Sequence, residues 1–377
     1  MNFTYSQEQQ MLQDSLARLV RDHYGFEQRE QARESATGFS RSFWTQLGEL
    51  GMTAVPFTEA YGGMAGGGVE NMLVMTELGR NLCLEPYLHS VIFAGGLLEQ
   101  LGSEQQKAEL IPEVAAGTLQ LAVALDEPGS HYQLHDVQTQ AVQHEGAWLL
   151  SGRKSVVVGG QSAGLLLVSA RTAGASRDEH GIGVFLLDPQ AQGVVRHEYA
   201  TIDGRRACDL ILSNAKAIAL GEPGQALAAL RYQQGRALAA QCAEAVGSME
   251  SVCQLTLDYL KTRQQFGQVL GKFQALQHRM VDLRIELDQA TSMTILAASM
   301  ADQPDSDERT RSLAAAKFIV SRAARVIADQ GIQLHGGIGL TWEYVLSHHA
   351  KHLLMVARQF GDDDHHLRTF SRLMQVA

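Results

Sequence analysis

The stretch Tyr259-Leu-Lys-Thr-Arg-Gln-Gln-Phe-Gly267 is followed closely by Phe273-Gln-Ala-Leu-Gln-His278. This pattern predicts the end of one long helix, a glycine turn and the opening of a second helix. Arg263 can clamp a phosphate or pyrophosphate with two parallel hydrogen bonds, Phe266 can form an apolar wall for a flat ring, and Gln274 can bond a base or ribose. Composition alone favours a plainer alternative, an exposed helix end with Arg263 on the surface and Phe266 in the core.

A second stretch, Gln333-Leu-His-Gly-Gly-Ile-Gly339, is predicted to connect two helices, the later of which starts near Thr341. Adjacent glycines let the backbone approach a ligand closely and leave N–H groups free for an anion or a carbonyl. The plainer alternative is a glycine-rich connection between helices. A third stretch, Asp126-Glu-Pro-Gly129, is predicted to be a turn after a strand, with its carboxylates in solvent.

Composition narrows the class of protein. The chain has 377 residues, of which 31 are basic and 41 acidic, so its formal charge is −10. Hydrophobic residues make up 45% and charged residues 19%, which is typical of a globular protein and unlike a disordered one. The acidity argues against a nucleic-acid partner, because proteins that bind nucleic acid carry basic surfaces.

Membrane, secretion and metal signals are also missing from the sequence. No apolar run approaches the roughly 20 residues that a membrane helix needs, and the N-terminus has no secretory pattern. The four cysteines (Cys83, Cys208, Cys242 and Cys253) lie beside no His or Cys at metal-ligand spacing. We therefore expect a cytoplasmic protein with reduced, mostly packing cysteines, no metal site and no membrane partner.

Hydrophobic periodicity predicts a helical N-terminal part. Ser6 and Gln9 form a candidate capping box before the first helix. A glycine-rich loop is expected at Tyr61–Gly68. Further helices are expected at Ser42–Leu50, Val69–Arg80, Tyr87–Leu101 and Glu104–Ala116.

Short apolar runs separated by turn residues then predict a small antiparallel barrel or sandwich. These runs are Leu119–Leu125, Trp148–Leu150, Ser155–Val158, Leu165–Ser169, Val184–Leu187 and Lys216–Ile218. After Gly224 the helical period returns, at Ala226–Lys261, Phe273–Met300, Ser312–Gln330, Glu343–Phe360 and Asp363–Met374. We expect three domains: an N-terminal helical domain at 1–118, a middle β domain at 119–222 and a C-terminal helical bundle at 223–377.

In this order, the quoted stretches resemble the acyl-CoA dehydrogenase family over nearly the whole chain. The resemblance implies an α+β fold with a helical N-terminal domain, a β-barrel middle domain and a C-terminal four-helix bundle. Within the family, the chain looks most like the small subunit of bacterial pimeloyl-CoA dehydrogenase. That likeness rests on Leu84-Glu-Pro-Tyr-Leu88, Gly152-Arg-Lys-Ser-Val156 and Phe360-Gly-Asp-Asp-Asp-His-His366.

The resemblance implies an FAD enzyme that acts on acyl-CoA thioesters. In the family a base removes the α-proton while the β-hydride goes to the flavin, and hydrogen bonds to the thioester carbonyl stabilise the developing enolate. The resemblance also implies that part of this chain reaches across a dimer interface to hold the pyrophosphate and adenosine half of a neighbour's FAD. The residues at the matching positions are Arg263, Phe266, Gln274, Gln333, Leu334, His335, Gly336 and Gly337.

The sequence departs from the family at both positions where members carry the catalytic Glu. One position holds Phe360 and the other Ala237, and neither side chain can accept a proton. Glu244 is a substitute candidate, because it lies seven residues after Ala237 and shares its helix face. Asp126, Asp362 and Asp363 are further candidates, and each is more simply a structural or surface carboxylate.

The middle domain departs from the family pattern as well. Members have Trp and Thr beside the flavin ring where this chain has Val156 and Val158. The loop Glu127-Pro-Gly-Ser-His131 also lacks the second glycine of the family motif. The half of an FAD site that this chain would build for its own flavin is therefore depleted, whereas the half that it would lend to a neighbour is complete.

This asymmetry leads to the hypothesis of a heteromer. A larger homologous subunit would supply the catalytic Glu and the flavin-facing side chains, with one FAD per unlike pair. Electron-transferring flavoprotein is the expected acceptor, and medium, dicarboxylic or steroid side-chain acyl-CoA thioesters are the expected substrates. Two alternatives stay open: an autonomous homo-oligomeric dehydrogenase with an atypical base, and a non-catalytic scaffold subunit.

Overall fold

The computed structural model describes residues 4–374. Its N-terminal α-helices are α1 (Gln7–His23), α2 (Phe26–Glu34), α3 (Arg41–Glu49), α4 (Gly68–Arg80), α5 (Gly96–Leu101) and α6 (Glu104–Ala115). The helix expected at Tyr87–Leu101 has two parts, because a π-helix spans Tyr87–Gly95 before α5 begins. The predicted capping box is confirmed: the Ser6 hydroxyl accepts from Gln9 N, and the Gln9 side chain accepts from Ser6 N.

Seven strands follow within the described residues. They are β1 (Leu121–Ala124), β2 (Gln140–His144), β3 (Ala147–Val158), β4 (Leu165–Arg171), β5 (Ile182–Leu187), β6 (Val194–Ala200) and β7 (Arg206–Leu220). Strands β4, β5, β7, β3 and β2 close into a ring through the Gln140–Arg171 pair. The expected barrel is confirmed, but the sheet is mixed, because the chain makes the β2–β3 hairpin before β4 returns parallel to β1.

Three strand predictions need correction. The runs predicted at Trp148–Leu150 and Ser155–Val158 belong to the single strand β3, whose register shifts twice against β7. The run predicted at Lys216–Ile218 is only the end of β7. Strands β2 and β6 escaped prediction because almost all their residues face solvent, so they carry little apolar signal.

The C-terminal part is helical, apart from a short hairpin. Its elements are α7 (Leu227–Thr262), β8 (Gln264–Gln265), β9 (Gln268–Val269), α8 (Gln274–Ala301), α9 (Asp307–His335), α10 (Val345–Val356) and α11 (Asp363–Met374). Small and branched apolar residues of α7 to α10 form one core, in which Ala290, Ala316 and Ala323 are fully buried. Between these helices Asp302 ends α8, and the Ser306 hydroxyl caps α9 by accepting from Arg309 N.

Contacts group the chain into two compact units. The helical unit comprises Met1–Glu30, Gly68–Cys83 and Leu238–Ala377, and the barrel unit comprises Gln31–Gly67 and Leu84–Ala237. The division into domains near residues 118 and 222 stays a prediction. Between residues 4 and 374, no helix has the length and apolar character needed to cross a membrane. The four cysteines all lie within the described residues and form no disulfide, and three of them are buried, as expected of packing residues.

Helices α4 and α7 touch backbone to backbone in the helical unit. A Cβ atom added to Gly79 would lie 2.0 Å from the carbonyl oxygen of Glu244, and one added to Gly247 would lie 1.9 Å from that of Thr76. Real Cβ atoms do not approach backbone oxygens so closely. Two glycines, one on each helix, therefore set the distance between α4 and α7.

Gly247→Ala should destabilise the protein, even though alanine is the better helix former. Helix propensity favours alanine by about 1 kcal/mol, but moving two packed helices apart costs typically 1–3 kcal/mol. Chemical denaturation should therefore show a lower free energy of unfolding. Gly337→Ala is the matched control, because its added Cβ meets no atom within 4 Å. Equal stability of the two variants would contradict the tight crossing.

Candidate functional site

Arg263 stands at the end of α7, at the base of a small hairpin. Its N–H donates to the carbonyl of Tyr259 at 2.8 Å, and its own carbonyl accepts from Leu270 N at 2.9 Å. The hairpin consists of β8 and β9, joined by the two residues Phe266 and Gly267. Both have positive φ (55° and 77°), as a type I′ turn requires. The predicted order of helix end, glycine turn and new helix is confirmed.

Phe266 is the unusual residue of this hairpin. Its side chain is 89% exposed and meets the edge of Phe273 with ring centroids 6.2 Å apart. The alternative with Phe266 in the core is therefore wrong. A bulky residue with positive φ is strained, at a cost of order 1–3 kcal/mol. The chain thus holds an aromatic ring in solvent, in a conformation that glycine or asparagine would adopt more easily, beside the exposed Arg263.

The second stretch differs from its prediction in one respect. Gln333, Leu334 and His335 form the last turn of α9 rather than a loop, and Gly336–Leu340 is a 3₁₀ helix. The next α-helix begins at Val345, not near Thr341. Because Gly336 and Gly337 are exposed and a Cβ on either would meet nothing within 4 Å, the backbone here lies open to a ligand, as predicted.

His335 joins the two stretches. Its ring is buried and stacks on Tyr259, with centroids 4.5 Å apart and planes inclined by 27°. Its Nδ1–H donates to the carbonyl of Gly331 at 2.8 Å, and its Nε2 lies 3.2 Å from the hydroxyl of Tyr344. The hairpin and the glycine segment therefore begin at the same end of the helical unit, around one cluster of rings. Tyr344 was not among the predicted residues, because an aromatic residue at a helix start is common.

The other residues predicted to hold the pyrophosphate and adenosine half of FAD, which we call the grip, fall into an exposed group and a buried group. Gln274, the first residue of α8, and Gln333 are exposed. Leu334 is buried in the core of the helical unit, and His335 is buried among the rings. Leu334 and His335 can therefore offer a ligand only their backbone. Their roles in cofactor binding stay predictions, as do those of the exposed residues.

At the two positions where the resemblance implies a catalytic base, the folded chain has Ala237 and Phe360, and the nearby aspartates are engaged in other contacts. Ala237 is fully buried in α7. Phe360 lies in the turn before α11 with φ 55°, and its carbonyl oxygen lies 2.9 Å from Nε2 of His366. Asp362 caps α11 by accepting from His365 N at 3.0 Å, and Asp363 pairs with Arg325 at 2.8 Å. Both aspartates thus stabilise this turn, Asp362 as a helix cap and Asp363 in an ion pair.

Glu244 belongs to a buried polar cluster made of Gln241, Glu244, Ser248, Lys317, His349 and His352. The Glu244 side chain is 2% exposed, and its Oε1 lies 3.8 Å from Nε2 of His352. Lys317 donates to Gln241 Oε1 at 2.7 Å and to the carbonyl of Val356. Burial lowers the pKa of Lys317 to about 8. A carboxylate this enclosed lacks direct access to a substrate, so the geometry favours a structural role for Glu244.

In the turn at Asp126–Gly129, one of the two carboxylates is in solvent as predicted and the other is not. Glu127 is buried, contrary to expectation, and pairs with the fully buried Lys154 at 2.6 Å. Its carboxylate also accepts from the backbone N of Gln138 and Thr139, at 2.7 and 3.0 Å. The Lys154 ammonium and these donors outweigh desolvation and hold the pKa of Glu127 below its usual value. The pair ties the loop after β1 to β2 and β3.

Val156 lies on a bulge of β3, and its side chain is 47% exposed. It has φ 54°, and its N–H donates to Asp209 Oδ1 at 3.1 Å. Asp126 is exposed, as predicted, but crowding by protein atoms raises its pKa, against the opposing charge of Lys154. This face of the barrel unit thus presents an aliphatic side chain and carboxylates.

The sequence matches one family along almost its entire length. Residues 6–118 match the acyl-CoA dehydrogenase N-terminal domain, residues 122–215 the middle domain and residues 224–374 the C-terminal domain. The chain belongs to the acyl-CoA dehydrogenase family.

Individual relatives agree with this assignment. The probable acyl-CoA dehydrogenase YngJ of Bacillus subtilis (strain 168) is 28% identical over 358 residues, 91% of this chain and 92% of YngJ. A chain of the Tcur3481–Tcur3483 steroid ACAD variant is similar with a TM-score of 0.88 and 28% identity, over 98% of both chains. A chain of the ChsE4–ChsE5 complex from Mycobacterium tuberculosis has a TM-score of 0.88 and 25% identity, over 100% of both.

Acid should weaken the helical unit, because burial lowers the pKa of both His349 and His366 to about 3. Between pH 6.5 and 3 the unfolded chain binds protons that the folded chain does not. The free energy of unfolding should therefore fall with pH through this window, by up to roughly 1.4 kcal/mol per pH unit for each histidine. Urea unfolding between pH 7.5 and 4.5 measures the slope.

The matched variant for this experiment is His349→Gln. Glutamine can still bond the hydroxyl of Ser248, which lies 2.8 Å from Nδ1 of His349, but it does not titrate in this range. Its unfolding free energy should depend less steeply on pH than that of the unaltered protein. Parallel pH profiles would show that His349 is not held neutral.

Proposed function

We propose that this chain is a subunit of an FAD-dependent acyl-CoA dehydrogenase and grips the FAD whose flavin lies in a larger homologous subunit. The complex introduces an α,β double bond into an acyl-CoA thioester. The observation that carries the proposal is the exposed, strained Phe266 beside the exposed Arg263. Evolution tolerates such strain where a site needs it, and an unshielded aromatic ring beside a guanidinium suits a dinucleotide.

The gripping half of the site fits FAD. The Arg263 guanidinium can pair with pyrophosphate oxygens in a fixed fork. Gly336 and Gly337 put no side chain between the backbone and a ligand, and the N–H of Gly336 itself donates to the carbonyl of Ile332 at the end of α9. Gln274 and Gln333 are exposed amides that can bond a ribose or a purine edge. Arg263, Gln274 and Gln333 are exposed, so their side chains can reach a ligand.

The flavin-facing half does not fit. Val156 offers no aromatic surface, and its N–H is engaged by Asp209. Asp126 adds a carboxylate where the resemblance implies a hydroxyl that bonds the flavin. Bound FAD would supply the hydride acceptor, and the carboxylate of Asp126 beside its ring would disfavour added negative charge there. For this reason we assign the flavin ring to a neighbour with different side chains.

The missing base supports an unlike neighbour. Ala237 and Phe360 have no proton acceptor, and the nearest substitutes, Glu244, Asp362 and Asp363, are engaged within the fold. Two similar structures, Tcur3481–Tcur3483 and ChsE4–ChsE5, are named as pairs of different chains. A paired arrangement is therefore known among similar proteins of this size.

The substrate is an acyl-CoA thioester, and electron-transferring flavoprotein is the proposed acceptor. Medium and dicarboxylic acyl chains follow from the likeness to the pimeloyl-CoA dehydrogenase small subunit. Steroid side-chain thioesters are the other proposed class, because one similar structure is named as a steroid ACAD. Flavin bleaching of the reconstituted complex against a panel of these thioesters separates the two classes.

Flavin content tests the assembly. The chain should be nearly colourless when purified alone, because it lacks a flavin cradle. Co-purified with its larger homologue, the complex should contain one FAD per unlike pair, measured by absorbance after denaturation against protein mass. A yellow homomer with one FAD per chain that is reduced by an acyl-CoA would favour the autonomous enzyme. A complex without flavin would favour the scaffold.

Phe266→Asn should separate stability from cofactor retention. Asn-Gly is the preferred type I′ pair, so the variant should gain up to about 1 kcal/mol in unfolding free energy. It should also lose the ring that faces the dinucleotide, so FAD should dissociate faster from the complex. Stopped-flow release of FAD and chemical denaturation measure the two effects.

Glu145→Asn is the matched control for Phe266→Asn. Glu145 and Gly146 join β2 and β3 with φ values of 49° and 80°, so the same backbone relief applies in the barrel unit. This control should gain stability and retain FAD normally. If Phe266→Asn also retained FAD normally, Phe266 would have no role in the grip.

A further inference from the structure

We infer that His335 is a positioning residue, which holds the Arg263 hairpin and the Gly336–Gly337 segment at the separation that the dinucleotide grip needs. The inference rests on the proposed function and adds a residue that acts through others. His335 is 4% exposed, so its ring does not touch a ligand at the surface. Its contacts instead run to both halves of the grip.

The face of the His335 ring that stacks on Tyr259 connects it to the Arg263 hairpin. His335 stacks on Tyr259 at a centroid distance of 4.5 Å. Tyr259 lies in the last turn of α7, and its carbonyl accepts from Arg263 N at 2.8 Å. Arg263 in turn accepts from Leu270 N, which closes the base of the hairpin. A displacement of the His335 ring would therefore move the point from which Arg263 departs.

The other side controls the glycine segment. His335 is the last residue of α9 and is followed directly by Gly336, whose φ of 68° turns the chain. The bond from Nδ1–H to Gly331 fixes the ring against its own helix. Nε2 faces the Tyr344 hydroxyl at 3.2 Å, just before α10 starts. The segment between His335 and Tyr344 is thus anchored at both ends by one imidazole.

The neutral ring suits this double role. With the proton on Nδ1, Nε2 is free to accept a hydrogen bond from the Tyr344 hydroxyl. Burial lowers the pKa of His335, against its hydrogen bonds to the backbone of Gly331 and Leu255, and this favours the neutral ring. Stacking on one tyrosine and bonding another leaves the imidazole a single orientation, which is what a positioning residue requires.

The test uses the full chain and ADP, which carries the pyrophosphate and adenosine half of FAD. His335→Ala should weaken ADP binding by about tenfold, the equivalent of one lost or weakened hydrogen bond to a charged group. Amide hydrogen exchange should quicken in both Gln264–Gln268 and Gly336–Ile338. Tyr344→Phe keeps its ring and loses only the hydroxyl, so it should show a smaller change of the same kind. Tyr344→Phe also tests the inference by itself if His335→Ala fails to fold.

His349→Gln is the matched control, because it alters another buried histidine of the helical unit outside the ring cluster. It should lower thermal stability yet leave ADP affinity and both exchange rates unchanged. If the control changed them as much as the His335 variants do, or if those variants changed neither, the positioning role would be refuted. If the unaltered chain bound no ADP, the grip itself would be wrong, and the exchange rates would still decide the role of His335.

Discussion

The end of the helical unit that carries the candidate site depends on the packing of His335 against Tyr259. Helices α7 and α9 both end here, and the stacked rings fix one helix end against the other at a centroid distance of 4.5 Å. Neither the Arg263 hairpin nor the Gly336–Gly337 segment has a core of its own. Both are short, exposed segments, and their positions are set by the helices that precede them. The precision of an exposed site therefore comes from buried contacts that a ligand never meets.

The parts of the fold with strong periodic or turn signals were predictable from the sequence. Long apolar stripes placed the C-terminal helices, and α11 was placed with its observed bounds, because Asp363 and Asp364 suit a helix start. The turn at Gly267 followed from the same local logic, but the two short strands that flank it, β8 and β9, were not predicted. Strands β2 and β6 were missed because a strand with one buried residue or none resembles a polar loop. Tertiary pairing with β3 and β7, not local preference, makes them strands.

The exposure of the candidate site residues was not predictable from the sequence, and their roles stay predictions. Arg263, Phe266 and the glycines were named from their spacing, yet composition placed Phe266 in the core and Glu127 in solvent, and the structure reverses both. A single residue's burial depends on what lies opposite it in space. The Lys154 ammonium that buries Glu127 is 27 residues away in sequence, and Phe266 is exposed because only two strands of two residues support it. No local window contains that information.

At three positions in this chain the backbone has an unusual conformation that its side chain does not favour. Bulky residues with positive φ occupy three instructive positions: Phe266 in the β8–β9 hairpin, Val156 where the resemblance implies an aromatic residue and Phe360 where it implies a base. Such conformations are costly for a β-branched or aromatic residue, so the surrounding structure must impose them. At Phe266 the strained backbone still presents a usable side chain. At Val156 and Phe360 it presents side chains that cannot do the family's chemistry. Backbone conformation and side-chain chemistry thus vary independently at these three positions, which is the pattern expected if, as we propose, an unlike partner supplies the missing functions.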